Sequence, residues 1–232
     1  MAQTLQYRGL QLISEDIYTR LRQKILACEL APGERLEVYQ IARQMGVSYT
    51  PVKDALRKLL AEGLISIRPR KGTFVSQIHP ESIRESFELR EAVEIKACDL
   101  LAGRLTAIRF RALRTINEQI GRPTNSLDDH VRLDGRFHQL LVTYADNRRM
   151  TKVYSHLHAH LHIAQTYYGS EDWKDGVSLA KREHSAIIGS LESKRFEEAC
   201  VILKNHIRRS MALLTSALND RSEQLNLVSS AR

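Results

Sequence analysis

The stretch Ile41–Ile67 reads IARQMGVSYTPVKDALRKLLAEGLISI. Ile41, Ala42 and Met45 recur at the helical period. Gly46 supplies the left-handed residue that ends a helix, and Val47 plugs the turn behind it. Ser48 is placed to cap a second helix, and Pro51 is tolerated in that first turn because its missing N–H would be unpaired there anyway. Val52, Leu56, Leu59 and Leu60 form the buried stripe of this second helix, leaving Tyr49, Thr50, Lys53 and Arg57 outward. Gly63 closes it. Two strand-like runs follow, Leu64–Ile67 and Thr73–Val75, on either side of the cationic turn Arg68-Pro69-Arg70-Lys71-Gly72. Helix, tight turn, helix and basic hairpin make a winged helix-turn-helix, a pattern that lays its second helix in the major groove of DNA.

Upstream, residues 1–11 read as a loose arm. A helix is expected from about Ser14, capped by that serine, with Ile13, Ile17, Leu21 and Ile25 on one face, ending before the turn Ala31-Pro32-Gly33. Downstream, Ile78-His79-Pro80 reads as a linker, since the residue before a proline is pushed extended. The expected organisation is a DNA-binding domain over 1–77, a linker at 78–80 and a helical domain over 81–232. The fold class is mainly α. Six helices are expected near 81–102, 105–120, 127–145, 148–168, 177–192 and 195–218, with a polar, frayed tail from Gln224.

Charge supports the assignment of the first domain. Residues 1–78 carry 12 Lys and Arg against 7 Asp and Glu, a net +5, and the rest 23 against 20, a net +3. Positive charge is thus densest where phosphates would be neutralised. Cys28, Cys98 and Cys200 share no metal or redox spacing and read as reduced, buried thiols. No apolar run reaches the roughly 18 residues a membrane span needs, and no leader is evident, so a cytoplasmic protein with no membrane partner is expected.

In the helical domain the informative residues are polar ones on apolar stripes. Arg90 and Glu94 share a face with Ile83, Phe87, Ala97 and Leu101. Asp134 and His138 share one with Leu127, Val131 and Leu141. His184 falls among Val177, Ile187, Ile188 and Leu191, and His206 between Leu203 and Ile207. Buried polar groups are costly unless paired or coordinated. Asp134 and His138, at i and i+4, project from one helix face and can reach one cation. One Asp and three His suit a borderline divalent ion, zinc first, with nickel or manganese as alternatives. The run His156-Leu157-His158-Ala159-His160-Leu161-His162 cannot converge on a second ion, because i and i+2 point to different sides of a helix. Leu157, Leu161, Ala164 and Tyr168 mark its inward face; His160 borders it, and His158 and His162 point away. His160 and Tyr168 are candidate cavity-lining residues.

Two resemblances cover nearly the whole chain. Pro32-Gly33-Glu34-Arg35-Leu36, Gly46-Val47-Ser48, Thr50-Pro51-Val52-Lys53-Asp54-Ala55-Leu56, Glu62-Gly63-Leu64 and Gly72-Thr73-Phe74-Val75 resemble the GntR family of bacterial transcription regulators. That family usually carries Arg where Tyr49 stands, often Arg where Lys53 stands, and in several members a DNA-contacting Arg where Tyr39 stands. Lys cannot make the planar two-bond contact of Arg with guanine, so the bases read are not carried over. Residues 81–218 resemble the FCD domain of the FadR branch through Glu88-Leu89-Arg90-x-x-x-Glu94, Asp134-x-x-Phe137-His138, Asn147, Glu183-His184-x-x-Ile187 and His206-Ile207. Their length is closer to the six-helix, VanR-like subgroup. The resemblance implies a divalent metal on Asp134, His138, His184 and His206, and a small organic acid bound beside it.

The function expected is a non-enzymatic transcription regulator, a repressor acting as a homodimer on a pseudo-palindromic DNA operator. Lys53, Tyr49 and Thr50 read or approach bases, Arg35, Arg57 and the Arg70-Lys71-Gly72 wing hold phosphates, and Tyr39, Ser48 and Thr73 complete the DNA-binding set. Arg90, His160 and Tyr168 meet the effector, with Arg90 forking onto its carboxylate. Two rivals stand beside this reading: a regulator for which the metal is itself the signal, and a metal-dependent hydrolase with Glu94 as general base.

Overall fold

The computed structural model describes residues 2–169 and 173–230, and side chains over 12–169, 173–174 and 176–219. The chain divides into two compact units, Met1–Ile78 and His79–Arg232.

The first unit runs α1 (Ala2–Leu26), β1 (Arg35–Leu36), α2 (Val38–Gln44), α3 (Tyr49–Ala61), β2 (Ile65–Arg68) and β3 (Gly72–Val75). Ile17, Leu21 and Ile25, four residues apart, bury one face of α1, which packs on α3. The helix does not begin at Ser14. It begins at Ala2, and Ser14 is an interior residue, 4% exposed, because it shares the face of Ile17. The side chains of the expected loose arm lie outside the described residues.

Gly46 and Gly63, at φ +64° and +71°, end α2 and α3 as anticipated. Behind each, the next amide reaches back five residues, Val47 to Ala42 and Leu64 to Leu59, closing the last turn. Ser48 occupies the N-cap of α3 with extended backbone, but its side chain makes no capping hydrogen bond. The buried arc of α3 is Pro51, Val52, Ala55, Leu56 and Leu59. Leu60 lies one residue past that arc and is 40% exposed, not buried.

The sheet order is β1-β3-β2, all antiparallel, with Arg35 opposite Phe74 and Arg68 opposite Gly72. A two-residue strand such as β1 has no periodicity of its own to read. β2 is the first anticipated run shifted by one residue, and β3 is the second with one residue added at its start.

The second unit is α4 (Pro80–Leu100), α5 (Ala107–Ile120), α6 (Leu127–Tyr144), α7 (Arg148–Tyr168), α8 (Trp173–Glu192) and α9 (Phe196–Ser230). α8 starts four residues earlier than expected, and α9 continues through the stretch expected to fray. Ser126 and Asp129 form a reciprocal capping box on α6, and Asn147 caps α7 by accepting from the amides of Arg149 and Met150. α4 packs chiefly on α9, α6 on α5 and α7, and α8 on α9.

α7 touches α4, α6 and α9 and is buried on most sides: Tyr154, Leu157, Ala159, Leu161, His162, Ile163 and Ala164 are all inside. The expected split of its histidines is therefore corrected. His158 and His162 turn inward, and His162 Nε2 lies 3.3 Å from Asp128 Oδ1. A leucine stripe marks one side of a helix only, and this helix has partners on others.

The ring of His158 rests on Gly135 of α6, where a Cβ would lie 1.7 Å from Nε2. Gly135→Ala should therefore displace the ring and destabilise the unit by about 1–3 kcal/mol, read as a lower urea midpoint at unchanged slope. Burial pushes His158 down to about 4 from its ordinary 6.5. Below pH 6.5 the unfolded chain takes a proton here that the folded chain refuses until about pH 4. Stability is thus complete above the imidazole range and falls as pH drops through it, by about 1.4 kcal/mol per unit for this group. His158→Leu should lose less stability than the parent between pH 7 and pH 5.

Candidate metal centre and nucleic-acid surface

α6 presents Asp134 and His138 one turn apart, α8 presents His184 and α9 presents His206, none more than 8% exposed. Their ligand atoms all lie within 4.8 Å of one another. His138 Nε2 faces His206 Nε2 at 3.1 Å, and His184 Nε2 lies 3.5 Å from Asp134 Oδ1. Phe137 stacks on the His184 ring at 4.0 Å and fixes its plane.

The hydrogen bonds behind these rings decide the chemistry. Glu94 Oε2 accepts from His138 Nδ1 at 2.6 Å, and Glu183 Oε2 accepts from His206 Nδ1 at 2.7 Å. Burial alone would raise Glu94, but Arg90 and His138 hold its carboxyl well below the usual range. Burial would also raise Glu183, but hydrogen bonds from His206 and Arg209 hold it at about 2. Both are ionised and can only accept, so both Nδ1 atoms carry the proton and both Nε2 atoms point a lone pair at the other.

Asp134 adds a third acceptor, kept ionised against burial by the three imidazoles and Arg90. His184 offers a fourth ligand nitrogen: neither of its buried ring nitrogens has a hydrogen-bond partner, so its proton can sit on Nδ1 and leave Nε2 to accept. Burial pushes His184 and His206 below the ordinary imidazole range, so at neutral pH protons do not fill the space. With the His184 proton on Nδ1, four acceptors aim at one point, an arrangement that fits a cation. The donor set of one carboxylate and three imidazoles fits a divalent one.

Arg90 does not reach out of this centre. Its Nε donates to Glu94 Oε1 at 2.6 Å, and the Tyr154 hydroxyl donates to the same carboxylate at 2.5 Å. With three donors on it, Glu94 is no free general base, and the hydrolase reading loses its only candidate.

A cavity of about 330 Å³ opens onto Asp134 and His206. Tyr168 lines it, as expected; Arg90 and His160 do not. Its cationic wall is Arg209, which also holds Glu183 through Nε at 3.1 Å and Nη2 at 2.5 Å. Arg209, His130 and Trp173 were not singled out from the sequence, and Glu183 entered only within the motif Glu183-His184, without a role. The acid preceding His184 was the one available signal for Glu183; for His130, four residues before Asp134, Trp173, four before Val177, and Arg209, three after His206, helical spacing was the available signal.

In the first unit Ser48, Tyr49, Thr50, Lys53 and Arg57 are all exposed along the N-terminal part of α3. Tyr49 stacks on Tyr39 of α2 at 5.1 Å, with Tyr39 78% exposed. Arg57 pairs with Asp54 at 2.8 Å and Arg35 with Glu37 at 3.1 Å. Arg70 and Lys71 stand exposed at the β2–β3 turn, with Gly72 and Thr73 half-buried at the start of β3. Arg68, first residue of the cationic turn but outside the expected DNA-contacting set, lies over the Phe74 ring at 4.7 Å.

The gntR family of bacterial regulatory proteins matches residues 13–75, and the FCD domain matches residues 85–209. A transcriptional regulator of the helix-turn-helix type from Streptomyces ambofaciens is 33% identical over 193 residues, 83% of this chain and 81% of that one. The transcriptional repressor RspR of Escherichia coli K12 is 30% identical over 186 residues, 79% of this chain and 81% of its own. Among solved structures, a GntR transcriptional regulator from Rhodococcus sp. RHA1 superposes with a TM-score of 0.76 at 19% identity, covering 88% of this chain and 98% of that one. Fold, site and relatives agree: the chain belongs to the gntR family of bacterial regulatory proteins, DNA-binding transcriptional regulators and not enzymes, in the branch whose C-terminal part is an FCD domain.

Proposed function

We propose that the protein is a repressor that binds a pseudo-palindromic operator as a homodimer and leaves it when a small organic acid binds beside a divalent metal. Residues 1–77 are the DNA-binding domain, 78–80 the linker and 81–232 the effector and dimerisation domain. The observation that carries this reading is the acceptor-only pocket of Asp134, His138, His184 and His206, with a cavity opening onto it. Zinc is the first candidate, nickel or manganese the next.

A bound ion supplies a Lewis-acid anchor for a ligand oxygen. Arg209, on the cavity wall, is placed to hold a carboxylate with donors that Glu183 leaves free. Acid binding favours a dimer geometry that spaces the half-sites badly, a shift that needs about 1–3 kcal/mol of coupling.

Lys53, Tyr49 and Thr50 lie where they can approach base edges, with Ser48 and Tyr39 flanking them. Arg35, Arg57, Arg70, Lys71, Gly72 and Thr73 follow the backbone. The test is fluorescence anisotropy on a duplex selected from random sequence. Lys53→Ala should weaken binding by about 1–3 kcal/mol. A dimer using Arg35, Arg57, Arg70 and Lys71 from each protomer should show log K falling against log salt with a slope of roughly −7. A flat salt titration with unchanged Lys53→Ala affinity would refute the assigned surface.

A further inference from the structure

We propose that the cavity beside Asp134 and His206 takes a monocarboxylic acid with an apolar body, aromatic or medium-chain, and that His130 and Trp173 select that body. This deepens the effector reading above and rests on it.

The cavity has two chemically different ends. At one, Asp134, His206 and Arg209 gather charge. Most of the remaining wall is apolar, including Leu127, Val131, Ala180, Leu213, Leu214 and Ala217, with Gln165, Tyr168 and Ser210 as uncharged polar exceptions. At about 330 Å³ it lies at the small end of ligand sites. Among the described lining residues Arg209 is the one Lys or Arg. Its charge is already paired with Glu183, so with the proposed divalent ion on Asp134 the charged end carries one net positive charge, and a single carboxylate is matched. A second, on a diacid or triacid, would meet no second cation among the described lining residues, only the uncharged Gln165, Tyr168 and Ser210, and would be held less well. A small hydroxy acid would fill the charged end and leave the apolar wall uncovered.

Two aromatic groups face the body of the ligand. Trp173 stacks on His130 at 5.4 Å with the planes 28° apart, and both line the cavity. His130 stands one helical turn before Asp134 on α6, so a molecule anchored at the charged end runs over it. Its buried Nδ1 has no hydrogen-bond partner. Such an atom marks where a polar substituent of a ligand would be received. A hydroxylated aromatic acid meets all three features.

Trp173 is the only tryptophan in the chain, so its fluorescence reports occupancy directly. The purified full chain would be titrated with phenylacetate, 4-hydroxyphenylacetate and octanoate, and with lactate and citrate. We expect saturable quenching by the first three at concentrations at least ten-fold below those needed for lactate or citrate. Arg209→Leu should weaken phenylacetate more than ten-fold. Ala217→Phe, which fills the cavity without touching its polar groups, should abolish binding and guards against Arg209→Leu failing to fold. His130→Phe keeps the stack and removes Nδ1, so it should erase any preference for the hydroxylated acid. Citrate or lactate binding more tightly than the aromatic acids would overturn the proposal, as would binding indifferent to Ala217→Phe. Operator affinity, measured in parallel, separates the two readings. Phenylacetate that binds without releasing DNA sinks the proposed control and leaves the ligand class standing. Citrate that releases DNA while phenylacetate does not bind sinks the ligand class alone.

Discussion

Glu94→Leu is expected to destabilise the helical unit by about 3–5 kcal/mol, the cost of breaking a buried ion pair from one side. The reason is how much converges on one carboxylate. Arg90 Nε, His138 Nδ1 and the Tyr154 hydroxyl all donate to it, and neither Arg90 nor Glu94 is more than 3% exposed. Leucine has similar bulk and no acceptor, so a guanidinium, a phenol and an imidazole N–H are stranded together. For a chain of this size each kcal/mol moves the midpoint by roughly 2–4 °C, so the melt should fall by roughly 6–20 °C. The double variant Arg90→Met with Glu94→Leu should recover most of the loss, because the stranded charge goes with its partner. Glu94→Gln gives a different signature: its amide oxygen is an uncharged, weaker acceptor, and with Arg90 and Tyr154 competing for it His138 is held less firmly with the proton on Nδ1, so metal affinity should fall about 10–100-fold with a smaller change in stability. A Glu94→Leu melt within 2–3 °C of the parent, on the order of 1 kcal/mol, would mean that water reaches the cluster and that its burial is overstated.

The parts of this molecule legible in the sequence are those with short-range causes. Gly46 and Gly63 announce helix ends because the left-handed backbone they adopt is local chemistry. Asp134 and His138 announce a shared face because i,i+4 spacing is helix geometry. Polar residues on apolar stripes announce burial, and all of Arg90, Glu94, Asp134, His138, His184 and His206 are buried. What failed depended on partners remote in sequence. The inward turn of His158 and His162 follows from α7 having neighbours on several sides. Leu60 is exposed because tertiary packing covers the Ala55 side of α3 instead. The cavity joins residues of α6, α7, α8 and α9, and no pattern within one helix could name Arg209 or Trp173 as neighbours of Asp134.

The largest effect is expected at the metal centre itself. His184→Ala combined with His206→Ala removes two of the four acceptors, and elemental analysis should fall from about one divalent ion per chain to background. An ion that binds only the folded chain stabilises it by about 4 kcal/mol when present at a thousand times its dissociation constant. Chelation of the parent should therefore lower its melt by roughly 8–16 °C, and added zinc should restore the parent but not the double variant. The chelated parent is left with two Nε2 lone pairs 3.1 Å apart, Asp134 beside them and His184 unpartnered, which is why the loss should be steep. Operator binding then sorts the role of the ion. If stability drops while DNA affinity in the physiological metal range stays constant, the ion is structural and the acid is the signal. If affinity follows metal concentration, the ion is the signal. A parent that purifies without any ion and melts unchanged in chelator would leave only one way to hold two imidazoles that close, a proton shared between His138 and His206. The acceptor pocket would then be a charge store, and the control assigned to it would have to be rebuilt from the cavity alone.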